Sequence, residues 1–188
     1  MVTKEELIYR QVITLRDGAR VLLRPLIPSD RQALLELFQA TTYDERRLMR
    51  HNINDPQVVS AWAEEINYEQ VFPLVAVVND RLVGNTTLHF NSGHARHRGE
   101  VRIFLAKDFR RRGLGTKMLQ ALVDIARRRS LYLLEIQVLA EQVNDIKALR
   151  KAGFEVQCTF EDYYMLPDGD LRDVVHMLYP LQIAEGEF

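Results

Sequence analysis

The residues best equipped for chemistry lie between positions 100 and 116. The segment Arg110-Arg111-Arg112-Gly113-Leu114-Gly115-Thr116 follows a short apolar run, Val101 to Ala106. It precedes a helical stripe of Leu114, Met118, Leu119, Leu122, Val123, Ile125 and Ala126. A turn placed between a strand and a helix exposes backbone N–H groups that the first helical turn cannot satisfy. Together with the positive end of the helix dipole, these make an anion site. Glycine at 113 and 115 lets the backbone approach a phosphate without an intervening Cβ. The adjacent arginines and Lys107 add positive field for a polyanionic ligand. The plain alternative is an arginine-rich surface turn that only solvates a helix start.

Spacing separates this segment from two familiar phosphate loops. A Walker loop needs four residues between its glycines and then Lys-Ser/Thr, and Gly113-Leu114-Gly115-Thr116-Lys117 has neither feature. A dinucleotide fingerprint needs a third glycine where Met118 stands.

Other candidates are fewer. Glu100 is the best-placed carboxylate, at the head of the strand that precedes the loop, where an exposed strand-start residue is the plain alternative. Glu135 alternates with Leu134, Ile136 and Val138, so its side chain should face away from that apolar row. His89, His94 and His97 lack a nearby Cys or paired carboxylate, and no metal site is expected from them. Cys158, the single cysteine, reads as a small buried hydrophobe in a strand. Tyr163 and Tyr164 should alternate faces, one in the core and one towards a cleft. Trp62 reads as core.

The elements that must position these groups are legible from periodicity and punctuation. Val12, Thr14 and Val21, Leu23 flank Asp17-Gly18, which predicts a hairpin. Ser29 or Asp30 should cap a helix carrying Ala33, Leu34, Leu37 and Phe38. Asp55-Pro56 should open another through Val58, Val59, Trp62 and Ile66. Phe72 to Val78 and Leu82 to Phe90 form a second hairpin around Asn79-Asp80. After the strand–loop–helix unit, Leu131 to Leu139 is a strand. Asn144 or Asp145 should cap a helix that ends at Gly153. Phe154 to Met165 and Leu171 to Tyr179 close the chain as a hairpin around Pro167-Asp168-Gly169-Asp170. This order predicts an α/β (α+β) fold whose mixed, mostly antiparallel sheet is flanked by helices and has a central parallel pair.

The 188 residues, 47% hydrophobic and 27% charged, suit one globular domain over 1–188. A net charge of -1 argues against nucleic acid as a partner. No apolar stretch reaches the roughly 20 residues of a membrane helix, and residues 1–12 lack the apolar centre of a signal peptide. One cysteine fits a reducing compartment, and a cytoplasmic protein is the expectation.

The pattern Arg110-x-x-Gly113-x-Gly115 resembles the pyrophosphate loop of the GNAT acetyltransferase superfamily, Arg/Gln-x-x-Gly-x-Gly/Ala between a strand and a helix. The resemblance extends over about residues 12 to 180. Leu15-Arg16-Asp17-Gly18 with Val21 to Leu26 resembles the first strand pair, Leu82-Val83-Gly84 a characteristic strand start, and Asn144 to Phe154 the later helix that ends in Gly-Phe. It implies the GNAT acyl-CoA N-acyltransferase fold and transfer of an acetyl group from acetyl-CoA to an amine. The pantetheine arm would pair with backbone groups of Phe104, Leu105 and Ala106. The pyrophosphate would sit on Arg110, Arg111, Arg112, Gly113, Leu114, Gly115 and Thr116, and Asn144 would contact the cofactor through its side chain.

Within the superfamily, Gly99 to Arg110 is similar to the catalytic domain of Pat-type bacterial protein lysine acetyltransferases. The opening "DGxxVLLRPLxPxD" and Tyr43-x-x-x-Arg47 are similar to it too. That similarity implies Glu100 as general base and a protein lysine as acceptor, with a small amine as the other possibility. In many members a Tyr precedes the Gly-Phe pair by four residues and protonates the leaving thiolate; here Leu149 stands there, and Gln142 replaces an upstream Asn. The proton would then come from Tyr163, Tyr164 or water. A non-catalytic acyl-CoA sensor is the competing implication. Oligomeric state stays open, a homodimer included.

Overall fold

The computed structural model describes residues 4–181. In chain order the elements are α1 (Lys4–Leu7), β1 (Gln11–Thr14), β2 (Arg20–Pro25), α2 (Arg31–Gln39), α3 (Tyr43–Arg47), α4 (Pro56–Glu64), β3 (Val71–Val78) and β4 (Arg81–Phe90). There follow β5 (Arg98–Leu105), α5 (Leu114–Arg128), β6 (Leu133–Leu139), α6 (Val143–Lys151), β7 (Glu155–Met165) and β8 (Leu171–Pro180). Hydrogen bonding orders the strands β1-β2-β3-β4-β5-β6-β8-β7. This is the mixed, mostly antiparallel α/β sheet that the element order predicts.

The chain forms two compact units, Met1–Thr87 with Ile103–Met118, and Leu88–Arg102 with Leu119–Phe188. In the first, β1 and β2 pair antiparallel with Ile13 opposite Val21, and β2 pairs antiparallel with β3. The hairpin turn spans five residues: Leu15 N–H donates to Ala19 C=O at 2.9 Å, and the Asp17 carboxylate accepts from Ala19 N–H. The α4 cap is as expected, Asp55 Oδ1 accepting from Gln57 N–H with Pro56 at the first helical position. The expected α2 cap is not there. Asp30 is instead buried in a bidentate ion pair with Arg24, at 2.6 and 2.7 Å, and accepts from Ile27 N–H. At the cap position Asp30 has a helical backbone, φ −80° and ψ −3°, rather than the extended one a side-chain cap uses, and its carboxylate accepts from Arg24 and Ile27 instead. The additional helix α3 begins with a capping box between Thr42 and Glu45.

In the second unit, β5 and β6 pair in parallel over Arg98–Glu100 against Leu133–Glu135. β6 pairs antiparallel with β8 along its whole length, and β7 pairs antiparallel with β8. Leu134, Ile136, Val138, Val175 and Met177 are buried on one face of these strands. Helix α6 starts at Val143 with Gln142 as its cap residue, so neither Asn144 nor Asp145 caps it. The Gln142 Oε1 accepts from Leu139 N–H at 3.3 Å, which ties the loop to the end of β6. Gly153 closes α6 with φ +105°, the left-handed conformation that a helix stop requires.

Candidate active site

The arginine–glycine loop lies wholly in the first unit. β5 ends at Leu105, and Ala106 N–H donates to Val83 C=O at 2.9 Å. A single 3-10 turn, Lys107–Phe109, leads into the loop. Backbone direction then changes twice in three residues, because Arg111 (φ +59°) and Gly113 (φ +90°) both take positive φ. Turns of this kind point N–H groups into one concave surface. The first helical hydrogen bond runs from Lys117 N–H to Gly113 C=O at 3.2 Å. The N–H groups of Leu114, Gly115 and Thr116 therefore have no intrahelical acceptor and face the same end as the positive dipole. The helix is anchored by Leu114, Met118, Leu122 and Ile125, all essentially inaccessible. A depression beside it is lined by Thr14, Leu15, Arg16, Arg112, Gly113, Thr116 and Lys117, three of them cationic.

Two of the three loop arginines brace the loop itself. Arg110 donates through Nε to Leu105 C=O at 3.0 Å and pairs with Glu45. Its guanidinium lies 5.9 Å from the Phe104 ring, which stacks on Phe38 at 4.7 Å. Burial pushes the Glu45 carboxyl up, but hydrogen bonds from Thr42 N–H and Arg110 outweigh it and hold the group below the ordinary carboxylate range. Arg112 pairs with Asp17 at 2.5 Å, donates to Asp108 C=O at 3.1 Å, and covers the Phe109 ring at 4.3 Å. The hydrogen bond from Arg112 lowers the Asp17 carboxyl. Asp108 is itself held by Arg81 at 2.7 and 2.9 Å. Arg111, by contrast, is exposed.

The second unit carries a polar sheet face. Glu100 and Glu135 are paired across the parallel β5–β6 ladder. Arg102 Nε donates to Glu100 Oε1 at 3.1 Å, which fixes the half-buried carboxylate. Glu135 meets Asn91 Nδ2 at 3.3 Å, Arg98 at 3.5 Å and His176 Nε2 at 3.4 Å. Next along β6, Gln137 lies opposite His176 and accepts from the Tyr164 hydroxyl at 2.6 Å. The strand period puts Glu100 and Arg102 on one side of β5.

A family model described as the acetyltransferase (GNAT) family matches residues 32–154. The chain belongs to the GNAT acetyltransferase family. No curated protein sequence matches it. Among solved structures, the GNAT domain of S. lividans PAT is 19% identical with a TM-score of 0.77, covering 96% of this chain and all of that one. Mycobacterium smegmatis RimJ in complex with CoA-disulfide is 20% identical with a TM-score of 0.73, over 91% of this chain and 86% of that one. The spermidine N-acetyltransferase SpeG chimera from Vibrio cholerae and hSSAT is 16% identical with a TM-score of 0.72, over 86% and 95%. At these identities the likeness is one of fold.

Against the GNAT frame, the predicted residues sort by unit. Phe104, Leu105, Ala106 and residues 110–116 gather in the first, whereas Glu100 and Asn144 belong to the second. Asn144 is exposed in the first turn of α6. Leu149 is buried at 4% exposure, a core residue with nothing to donate. Tyr163 and Tyr164 do not alternate: their rings stack at 5.7 Å, because a bulge in β7 resets the strand period between them. The group around Glu135 escaped the sequence reading. Its alternation with buried neighbours put it on the other face correctly, but Asn91, Arg98 and His176 come from three separate strands or loops. Only the β5–β6–β8 register brings them to it. Among the described residues there is no group of three or more His, Cys, Asp or Glu able to hold a metal ion. No described helix is long and apolar enough to cross a membrane.

Proposed function

We propose that this GNAT protein transfers an acetyl group directly from acetyl-CoA to an amine, with Glu100 as general base and a protein lysine as preferred acceptor. The observation that carries the reading is the loop: two positive-φ residues, two glycines and three helix-start N–H groups converge at the end of α5. In this reading the donor's pyrophosphate lies on backbone N–H groups of residues 111–116, while the Arg110 and Arg112 side chains, paired with Glu45 and Asp17, hold the loop. Backbone groups of Phe104 to Ala106 pair with the pantetheine arm, and Asn144 contributes a cofactor contact. The chain works as a single cytoplasmic acetyltransferase domain.

A lysine amine has a pKa near 10.4 in water and must lose a proton to attack. The neutral nitrogen adds to the thioester carbonyl, the C–S bond breaks, and the thiolate takes up a proton. The nitrogen's surplus proton passes to Glu100 directly or through one water. Arg102 keeps the carboxylate oriented for that transfer. No acyl-enzyme forms, so much of the acceleration comes from holding amine and thioester in register.

The acceptor preference is supported by the fold shared with the S. lividans PAT domain and by the similarity around Glu100. A small amine is the alternative, given that a spermidine N-acetyltransferase shares the fold. A non-catalytic acyl-CoA sensor is favoured by one observation, the buried Leu149. Release of free CoA from acetyl-CoA with mixed amines and lysine peptides separates these readings. Glu100→Gln should lower turnover about 10²–10⁴-fold with unchanged acetyl-CoA affinity. Tight acetyl-CoA binding without turnover on any amine would instead make the protein a sensor.

A further inference from the structure

β7 is an edge strand with an unusual surface. It is last in the strand order and pairs with β8 along one side. Between the pairs Phe160–Val174 and Tyr164–Arg172 it places three residues against one of β8, two more than a regular ladder holds. Asp162 absorbs the excess with φ +50°, and its N–H donates to Asp173 Oδ1 at 3.0 Å. Positive φ at a non-glycine residue is uncommon and marks stored strain. In return, three aromatic rings stack in series on one side. Phe160 meets Tyr163 at 4.9 Å, and Tyr163 meets Tyr164 at 5.7 Å, with planes 25° and 29° apart. Phe160 is 39% exposed and Tyr163 is 51% exposed. Backbone strain that holds aromatic rings in water works against the hydrophobic effect, unless something else covers them.

The surroundings say what. Glu155, Glu161, Asp162, Asp168, Asp170 and Asp173 all lie between residues 155 and 180, where Arg172 is the sole Lys or Arg. Arg172 is itself paired with Asp170 at 2.5 Å and Glu141 at 3.2 Å. A second copy of the chain fits poorly. Two acidic hairpins repel, and register shifts at Val156/Cys158 and Phe160/Tyr164 break the straight edge that strand-to-strand pairing needs. A free small amine fits less well than a longer ligand, because rings as exposed as Phe160 and Tyr163 enclose little of a small molecule. We infer that the bulged aromatic ladder of β7 docks a basic polypeptide segment of the acceptor. Its cationic side chains lie over the ring faces and pair with the carboxylates around them. This inference rests on the reading that the acceptor is a protein amine.

The test uses the full chain without acetyl-CoA and a fluorescent peptide of about ten residues alternating lysine with serine, followed by anisotropy. The expected result is binding that weakens about tenfold in Phe160→Ser/Tyr163→Ser. It should also become less salt-dependent in Glu161→Gln/Asp162→Asn, which keeps the rings and serves if the serine variant misfolds. Equal binding by wild type and both variants overturns the proposal. So does ring-dependent binding of spermidine without binding of the peptide, or a dimer in sedimentation that the serine variant abolishes. Acetylation of a short lysine derivative is read separately. Turnover there with ring-independent peptide binding removes the ladder and keeps the acceptor reading. Ring-dependent peptide binding without turnover on any amine keeps the ladder and removes that reading.

Discussion

The two loop glycines make opposite predictions for a single added methyl group. Gly115 has no positive φ, and a Cβ there would lie 3.3 Å from Leu105 Cδ1 and 3.5 Å from Ile103 Cδ1, both ends of flexible side chains. Small adjustments relieve that crowding, and alanine gains up to about 1 kcal/mol over glycine in a helix. Gly115→Ala should therefore leave the melting temperature within a few degrees of wild type, since about 1 kcal/mol corresponds to roughly 2–4 °C in a chain this size. Its new methyl group meets those two side chains, and the loop pattern itself admits alanine at this position. Acetyl-CoA affinity by titration calorimetry should therefore stay within about threefold of wild type. Gly113→Ala differs. Its Cβ would meet Arg16 only at an ordinary 3.6 Å, but φ +90° strains any L-residue. The left-handed conformation costs roughly 1–2 kcal/mol, and a displaced loop loses a charge-assisted hydrogen bond to the phosphate, about 1.5–3 kcal/mol, so melting should drop by about 2–8 °C and acetyl-CoA affinity about 10- to 150-fold. If Gly113→Ala bound acetyl-CoA as tightly as wild type, the anion-loop reasoning would be refuted.

Two further outcomes follow from ion pairs. The Glu45 carboxyl is lowered in the folded state, so its contribution is present above the unfolded pKa, near 4.3, and lost as pH falls through the folded value. Glu45→Gln should cost about 0.5–1 kcal/mol at pH 7, the partial exposure of Arg110 limiting the effect. In thermal melts this difference from wild type should stay constant from pH 8 to 5 and shrink below about pH 4. Asp30→Asn strands the nearly buried Arg24 guanidinium, and urea unfolding should show a loss of about 3–5 kcal/mol.

Much of this molecule was readable from local pattern. The period-2 runs, the 3.6-residue stripe of α5 and the glycine at 153 each report on nearby backbone, and the structure follows them. What escaped depends on partners distant in sequence. Asp30 reads as a cap until Arg24 on β2 claims its carboxylate. Tyr163 and Tyr164 read as alternating until two surplus residues in β7 reset the period. Glu135 reads as an isolated outward carboxylate until the parallel register places Glu100 beside it. Arg110 and Arg112 are legible as members of the loop, but their carboxylate partners, Glu45 and Asp17, lie 65 and 95 positions earlier. No spacing rule inside the loop could disclose them.

Those arginine braces change how donor capture should respond to ionic strength. An unpaired triplet of guanidiniums would act as a long-range attractor for a polyanion, and its association rate would collapse as salt shortens the Debye length. Here Glu45 and Asp17 cancel two of the three charges at close range. What remains is one loop guanidinium, Arg111, the Arg16 and Lys117 cations beside the helix start, and oriented backbone dipoles that act at short range. Capture by such a cradle leans more on fit and slow escape than a free triplet would, so added salt should slow association less than three unpaired guanidiniums predict.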